Sequence, residues 1–390
     1  MKIPFNRPYV PETALSHIAE ALSGPSLSGN SVFAERCQDW LQRETACGKA
    51  LLTPSGTAAL EMAALLADIK PGDEVIMPSF TFSSTANAFV LRGGIPVFVD
   101  IRPDTCNLDP DRIEAAITDR TRVIVPMHYA GVACEMEAIL AIAEKHGLLV
   151  IEDAAQGVMS RYRGKSLGSL GHMAALSFHD TKNLGAGEGG ALLINDPRFM
   201  ARAEIIREKG TDRSRFVRGE VAKYSWVDVG SSFLPNALTE AFLWSQLEEA
   251  ERITAMRLAL WRRYHEAFAD LEEAGRMRRP TVPRSCEING HIYYLLLPCR
   301  DQRDAFIQTL SERGISAAFH YVPLHNSRAG RTFGRAAGDL ENTIRVSDTL
   351  VRLPLWIGIE PHGPRVIQAV IDAVESWPAR EAGGNGKDWS

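Results

Sequence analysis

Several common signals are missing from this 390-residue chain. No stretch approaches the roughly 20 apolar residues that a membrane helix requires, so no membrane span is expected. The opening MKIPFNRPYVPETAL is interrupted by Pro4 and Pro8 and has no continuous apolar core, which argues against a secretory leader. Positive charge is not in surplus: 43 Lys and Arg against 48 Asp and Glu give a net charge of -5, and no broad basic field awaits nucleic acid phosphates. The six cysteines (Cys37, Cys47, Cys106, Cys134, Cys286, Cys299) show no C-x-x-C spacing. That excludes the usual zinc and disulfide patterns and leaves reduced thiols, as in a cytoplasmic protein. Internal repeats are also absent.

What is present is an ordinary globular composition, 45% hydrophobic and 23% charged, in a chain long enough for two domains. Short β-type runs alternate with helical ones up to Asp196, the signature of a parallel sheet covered by helices. EVIMP (74–78), PVFVD (96–100), RVIVPM (122–127), LLVIED (148–153), AALSF (174–178) and GALLIND (190–196) are the predicted strands. Helices are predicted over 57–68 and 135–147. Beyond Ser232 the texture changes to a long helical stretch over 236–275, followed by strands at 291–297 and 316–322 and helices at 303–314 and 364–377. The expectation is an α/β chain. Residues 1–245 form a large, mostly parallel sheet domain, 246–380 a smaller α+β domain with its linking helix, and 381–390 (EAGGNGKDWS) a flexible tail.

Three segments carry chemistry. In LLVIEDAAQ an apolar strand ends on Asp153, where ligands of open parallel sheets bind. There a carboxylate could face the ring nitrogen of pyridoxal 5'-phosphate (PLP) and keep it protonated, or simply cap the following turn. In ALSFHDTKN, Lys182 lies four residues past a strand end, with Ser177 five residues before it. Lysine is the side chain that condenses with an aldehyde and shuttles a proton once desolvated, although a lone loop lysine is usually a solvated one. The following GAGEGG fits G-x-G-x-x-G literally, but a strand rather than a helix comes next, so these glycines suit a tight turn close to a ligand. In TPSGTAALEM a Pro-Ser-Gly-Thr turn opens a helix, whose N–H groups at Gly56 and Thr57 and Thr57 hydroxyl suit a phosphate or an ordinary cap. PSFTF adds Phe80 and Phe82, either of which could stack on a ring or belong to the core.

As a set, SGT before a helix, PSFTF after a strand, EDAAQ, and SFHDTKN followed by GEGG resemble the DegT family of sugar aminotransferases, which are fold-type I PLP enzymes. IPFNRP, SLSG at 26–29, YVPLH at 321–325 and LPLW at 353–356 extend the likeness over nearly the whole chain. It implies that Lys182 is the Schiff-base lysine and Asp153 the partner of the pyridine nitrogen. Gln156 is then on the phenolic oxygen, Phe82 on the ring face, and Gly56, Thr57 and Ser177 on the phosphate. Many members place Gly-x-Asn where this chain has Gly230-Ser231-Ser232, so Ser232 stands at a position expected to reach the phosphate of the second subunit of a homodimer. Arg213, Arg215 and Arg218 are candidates for a substrate diphosphate, or else a solvated loop, and Tyr321 and His325 are further substrate candidates.

IMPSFTFSSTANAFVLRGG, VPMHYAGVACEME, EDAAQGVMS and IREKGTDRS are most similar to the branch that makes dTDP-4-amino-4,6-dideoxy-D-galactose for cell-surface polysaccharide. The implied reaction aminates C4 of dTDP-4-keto-6-deoxy-D-glucose, with L-glutamate as donor, 2-oxoglutarate as by-product, and pyridoxamine 5'-phosphate between the halves. Amination at C3 or of another nucleotide sugar, and a regulatory PLP-binding protein without turnover, are the alternatives. Related dehydratases replace the lysine with histidine, and here Lys182 is present.

Overall fold

The computed structural model describes residues 2–377; the segment expected to form a flexible tail lies outside the described residues. The main sheet has eight strands. They are β1 (Lys49–Thr53), β2 (Glu74–Pro78), β3 (Ile95–Val99), β4 (Thr121–Ile124), β5 (Leu149–Asp153), β8 (Met173–Ser177), β9 (Gly190–Ile194) and β12 (Arg335–Ala336), in the order β1-β9-β8-β5-β4-β2-β3-β12. From β8 to β12 every pairing is parallel, while β9 runs antiparallel to both β8 and β1. The sequence reading placed β9 among parallel strands. Its connection to β8 carries no helix and returns along the same edge, and a parallel crossover normally needs one. A small ribbon joins β6 (Arg161–Tyr162) to β7 (Lys165–Ser166) and β10 (Cys286–Glu287), and β11 (Tyr293–Leu296) pairs antiparallel with β13 (Leu350–Leu353).

The strands predicted for the main sheet are present with ends shifted by a few residues, and β1 and β12 are additional. The KALLT of β1 is built from residues that favour helices as much as strands, and burial in the sheet decides. The helix Gly56–Leu66 packs on β8, β9 and the helix Ser83–Val90, and eight of its eleven residues are buried. An Ala- and Leu-rich helix without a polar face is what that position requires. The long helical stretch is three helices, Ala237–Glu248, Ala250–Ala267 and Ala269–Glu273, broken at Glu249 and Phe268. Asn236 caps the first, accepting from the N–H groups of Leu238 and Thr239. The strand expected at 316–322 is reduced to a single bridge from Ala318 to Arg352.

A second hydrophobic core, around Tyr264, Tyr293, Phe306 and Val370, belongs to the C-terminal part of the chain. The N-terminal arm crosses to it. Ile3 lies in that core and bridges Ile315, and the Trp356 indole donates to the Pro4 carbonyl (3.0 Å). In the other direction, β12 comes from the C-terminal part and closes the edge of the main sheet.

Candidate active site

The sheet register collects the candidate residues at one edge. Gly190, the first residue of β9, pairs with Thr53 at the end of β1 on one side and with Ser177 at the end of β8 on the other. Asp153 ends β5, the neighbour of β8. The turn after β1 therefore meets the end of β8. A Cβ on Gly56 would lie 2.9 Å from Ser177 Cβ, and one on Gly190 only 2.4 Å from the Ser55 carbonyl oxygen. These glycines let three backbones converge.

Ser55 caps the helix Gly56–Leu66, its hydroxyl accepting from Ala58 N–H (3.1 Å). The first two N–H groups, of Gly56 and Thr57, lie outside the intrahelical ladder, at the positive end of the helix dipole. Thr57 Oγ1 shares a hydrogen bond with Ser84 Oγ (2.8 Å). An arrangement of free N–H groups and hydroxyls of this kind suits a phosphate.

Asp153 is buried and held on both oxygens. Oδ2 accepts from the Thr85 hydroxyl (2.6 Å) and Oδ1 from Ala155 N–H (3.2 Å). Thr85, itself bonded to Thr81 Oγ1 (2.8 Å), was not among the predicted residues. Its signal is PSFTFSST, whose hydroxyls follow the strand β2. Gln156 accepts from Ala130 N–H (2.7 Å) and donates to the Tyr321 hydroxyl (3.0 Å), leaving one amide hydrogen for another acceptor.

Lys182, Ser177 and Gln156 share one cavity wall with Asn183, Asn289 and His291. Burial pushes the Lys182 ammonium down to about 8; the Asp153 charge opposes the fall and Arg352 adds to it. The three further residues form a network the sequence reading missed. Asn183 donates to the Asn289 carbonyl (2.8 Å) and bonds His291 Nδ1 (2.9 Å), and Asn289 holds the carbonyls of Gln156 (2.8 Å) and Val158 (2.7 Å). Burial, reinforced by the Lys182 and Arg257 charges, keeps the His291 imidazole well below its ordinary range and hence neutral. ING in front of HIYYLLL, polar residues preceding an apolar strand, was the available signal.

Phe80 and Phe82 separate clearly. Phe80 is fully buried, edge-on to Tyr129 and Tyr321, whereas Phe82 precedes the helix Ser83–Val90 and is 60% exposed. Burial pushes the Tyr321 hydroxyl up to about 12, so it stays protonated. His325 bonds Ser79 Oγ through Nδ1 (2.7 Å), next to β2.

Ser232 is exposed, its backbone bridged to Glu208, and no hydrogen bond among the described residues joins it to the Lys182 group. Arg213, Arg215 and Arg218 surround a short surface helix, and each has acidic company: Glu208 at 3.5 Å, Glu220 at 3.2 Å, and Glu204 at 2.9 Å with Glu220 at 2.7 Å. No helix among the described residues is long and apolar enough to cross a membrane.

The donor set suits PLP: a helix N-terminus with hydroxyls for a phosphate, a fixed carboxylate for a ring nitrogen, and a desolvated lysine for an aldehyde. Comparison with known proteins agrees. Residues 26–375 match the model of the DegT/DnrJ/EryC1/StrS aminotransferase family. The spore coat polysaccharide biosynthesis protein SpsC of Bacillus subtilis (strain 168) is 32% identical over 382 residues, 96% of this chain and 97% of SpsC. A pleiotropic regulatory protein of Geobacillus stearothermophilus is 35% identical over 307 residues, 77% of this chain and 78% of that protein. The crystal structure of S. venezuelae DesV, in complex with a ketimine intermediate, superposes with a TM-score of 0.86 at 29% identity, covering 97% of this chain and 100% of DesV. The chain belongs to the DegT/DnrJ/EryC1/StrS aminotransferase family, whose members are PLP-dependent.

Proposed function

We propose that this sugar aminotransferase moves an amino group from L-glutamate to the C4 keto carbon of a nucleotide-linked 4-keto-6-deoxy sugar, dTDP-4-keto-6-deoxy-D-glucose, in the synthesis of a cell-surface polysaccharide. The observation behind the chemistry is the meeting of Lys182, Asp153 and the Gly56 helix end at one sheet edge. The sugar and the carbon aminated follow from the motifs around Phe82, His128 and Asp212; the relation to SpsC supports the polysaccharide setting.

Lys182 would hold the cofactor's aldehyde carbon. Asp153 would partner its ring nitrogen, Gln156 its phenolic oxygen, Phe82 its face, and Gly56, Thr57 and Ser177 its phosphate. When bound, PLP supplies the electron sink that stabilises negative charge on the carbon losing a proton. Lys182, partly neutral near pH 8, takes that proton and returns it in the reverse sense for the keto sugar. Thr85 and Ala155 keep the Asp153 carboxylate aimed, and the neutral His291 adds no further positive charge beside Lys182. Ser232 of a second subunit completes the phosphate site in a homodimer, and Arg213 and Arg215, with Tyr321 and His325, face the nucleotide sugar.

The test is incubation of the holoprotein with glutamate and a panel of dTDP and UDP keto sugars, with the product carbon located by NMR. The visible absorption band should bleach with glutamate and recover with a dTDP 4-keto sugar. Amination at C3, or none of the dTDP sugars, overturns the specific assignment. A band that persists with every amino donor supports instead a regulatory PLP-binding protein, a reading that the relative from Geobacillus stearothermophilus keeps open.

A further inference from the structure

Arg352 stands at the centre of β13, the single charged residue in the apolar run LVRLPLW (350–356). Its backbone N–H donates to the Ala318 carbonyl (2.6 Å), which fastens it beside the segment carrying His320 and Tyr321. The guanidinium lies over the Phe5 ring, 4.7 Å from its centroid, and Nη1 donates to His320 Nε2. No carboxylate pairs with it among the described residues, although the side chain is partly buried and its Nε fully so.

Three polar groups of this cluster are buried without a hydrogen-bond partner: Arg352 Nε, His320 Nδ1 and the Tyr129 hydroxyl. Because His320 accepts at Nε2, the tautomer that fits has its proton on Nδ1. Burial, with the charges of Arg352 and Lys182, holds that imidazole neutral. The rings are packed together: His320 stacks on Tyr321 (centroids 4.1 Å apart, planes at 10°), and Tyr129 stands edge-on to both, at 6.2 and 6.1 Å. Tyr321 in turn accepts from Gln156, a residue of the Lys182 cavity wall. The N-terminal arm spans the gap from the other side, with Phe5 against Arg352 and Asn6 Nδ2 donating to the Asp180 carbonyl (3.3 Å), two residues from Lys182.

Buried polar groups are almost always paired, and an unpaired guanidinium Nε with two further unpaired donors beside it, His320 Nδ1 and the Tyr129 hydroxyl, describes a seat for an anion. With Nη1 engaged by His320, Nε and Nη2 form the fork that remains, and that fork matches the two oxygens of a carboxylate. We propose that Arg352, with His320 and Tyr129 beside it, seats the carboxylate of the amino donor next to Lys182, and so restricts the donor to amino acids. This inference rests on the transaminase reading above.

The experiment compares the holoprotein with Arg352→Gln and Arg352→Lys. Two quantities are measured: binding of glutarate, a dicarboxylate that cannot react, by titration calorimetry, and the rate of each half-reaction alone. For Arg352→Gln, glutarate affinity and kcat/KM for glutamate should each fall about 100-fold, the usual consequence of removing one partner of a buried charged pair. The loss should lie in KM more than in kcat, and should exceed the loss in the keto-sugar half-reaction at least tenfold. Arg352→Lys keeps the charge without the fork and should fall between the two. If Arg352→Gln does not retain PLP, the lysine variant decides: undiminished glutarate binding, or equal losses in both half-reactions, overturns the seat. A wild-type protein unresponsive to glutamate defeats the transaminase reading itself, whereas a responsive wild type with equally responsive variants defeats only the role of Arg352.

Discussion

Gly190 has no room for a side chain. A Cβ there would lie 2.4 Å from the Ser55 carbonyl oxygen and 2.5 Å from Gly56 N, so Gly190→Ala must push away the turn that presents the Gly56 and Thr57 N–H groups. The expected outcome is PLP affinity weakened at least about tenfold, measured by equilibrium dialysis, since overpacking typically costs about 1–3 kcal/mol. Gly187 is the control. It has a φ of +76° and nothing within 4 Å, so Gly187→Ala should cost about 1 kcal/mol of stability and leave PLP affinity alone. At Lys182 the prediction concerns pH. Its proton affinity is lowered, so the neutral amine appears as the pH rises through about 8, well before an exposed lysine would lose its proton. The rate at which the cofactor-free protein captures PLP, followed by absorbance, should rise through that pH. Asp153→Asn removes the charge that opposes the fall and should move the midpoint lower; an unmoved midpoint would separate the two residues. Lys182→Ala should still bind pyridoxamine 5'-phosphate and lose turnover by several orders of magnitude. Asp153, Ser177 and Lys182 were legible because each lies at or just past a strand end in one open sheet. Phe80 and Phe82 were not separable, because burial distinguishes them and the sequence pattern does not. Arg352 and His291 were passed over for a related reason: a lone polar residue in or beside an apolar strand acquires meaning only from what faces it.

Among the elements, β12 is two residues long and joins the sheet edge at β3. It is fastened by Glu74, the first residue of β2, whose fully buried carboxylate accepts from Arg335 Nε (3.0 Å) and Nη2 (2.7 Å), Arg120 Nη2 (2.7 Å) and Thr118 Oγ1 (2.9 Å). The Arg335 hydrogen bonds hold its pKa below the ordinary carboxylate value, against the effect of burial. A depressed carboxylate stabilises the fold at pH values above its unfolded pKa, about 4.3, and the contribution disappears as the pH falls through the lower folded value. Glu74→Gln should therefore cost about 2 kcal/mol in urea unfolding at neutral pH. The gap between the two proteins should close as the pH is lowered into the acid range, and a gap independent of pH would assign the loss to packing instead. Little of this was legible. EVIMP identified the strand, but the partner of its first residue comes from 261 positions later. The same distance effect explains the segment 316–322. Its alternation suits a strand, yet it touches β13 through one bridge and is otherwise drawn into the aromatic cluster around Tyr321.

At the scale of the whole molecule, exposed apolar side chains occur on the helix Ala14–Leu22, which packs on the helix Ala237–Glu248, and on the segment 217–229 that precedes the second helix. Leu15 (77% exposed) and Leu22 come from the first region, and Val217, Trp226 (80% exposed), Val227 and Val229 from the segment leading into the second. The Leu27 carbonyl accepts from Ala237 N–H (3.2 Å), which ties the chain after the first helix to the start of the second. Exposed apolar side chains that adjoin one another mark protein contacts, and a twofold dimer is the commonest closed arrangement. The segment of Trp226 also leads directly to Ser232, the residue expected to reach the other subunit's phosphate. The apolar surface and the cofactor site are thus predicted to fail together. Sedimentation equilibrium should give a dimer for the natural chain, and Trp226→Asp combined with Val229→Asp should shift it to monomer. In that monomer PLP should dissociate faster than from Ser232→Ala, which removes one hydroxyl and leaves the apolar contact in place. A double variant that stays dimeric, or a monomer that holds PLP as tightly as the natural chain, would locate the subunit contact or the phosphate site elsewhere.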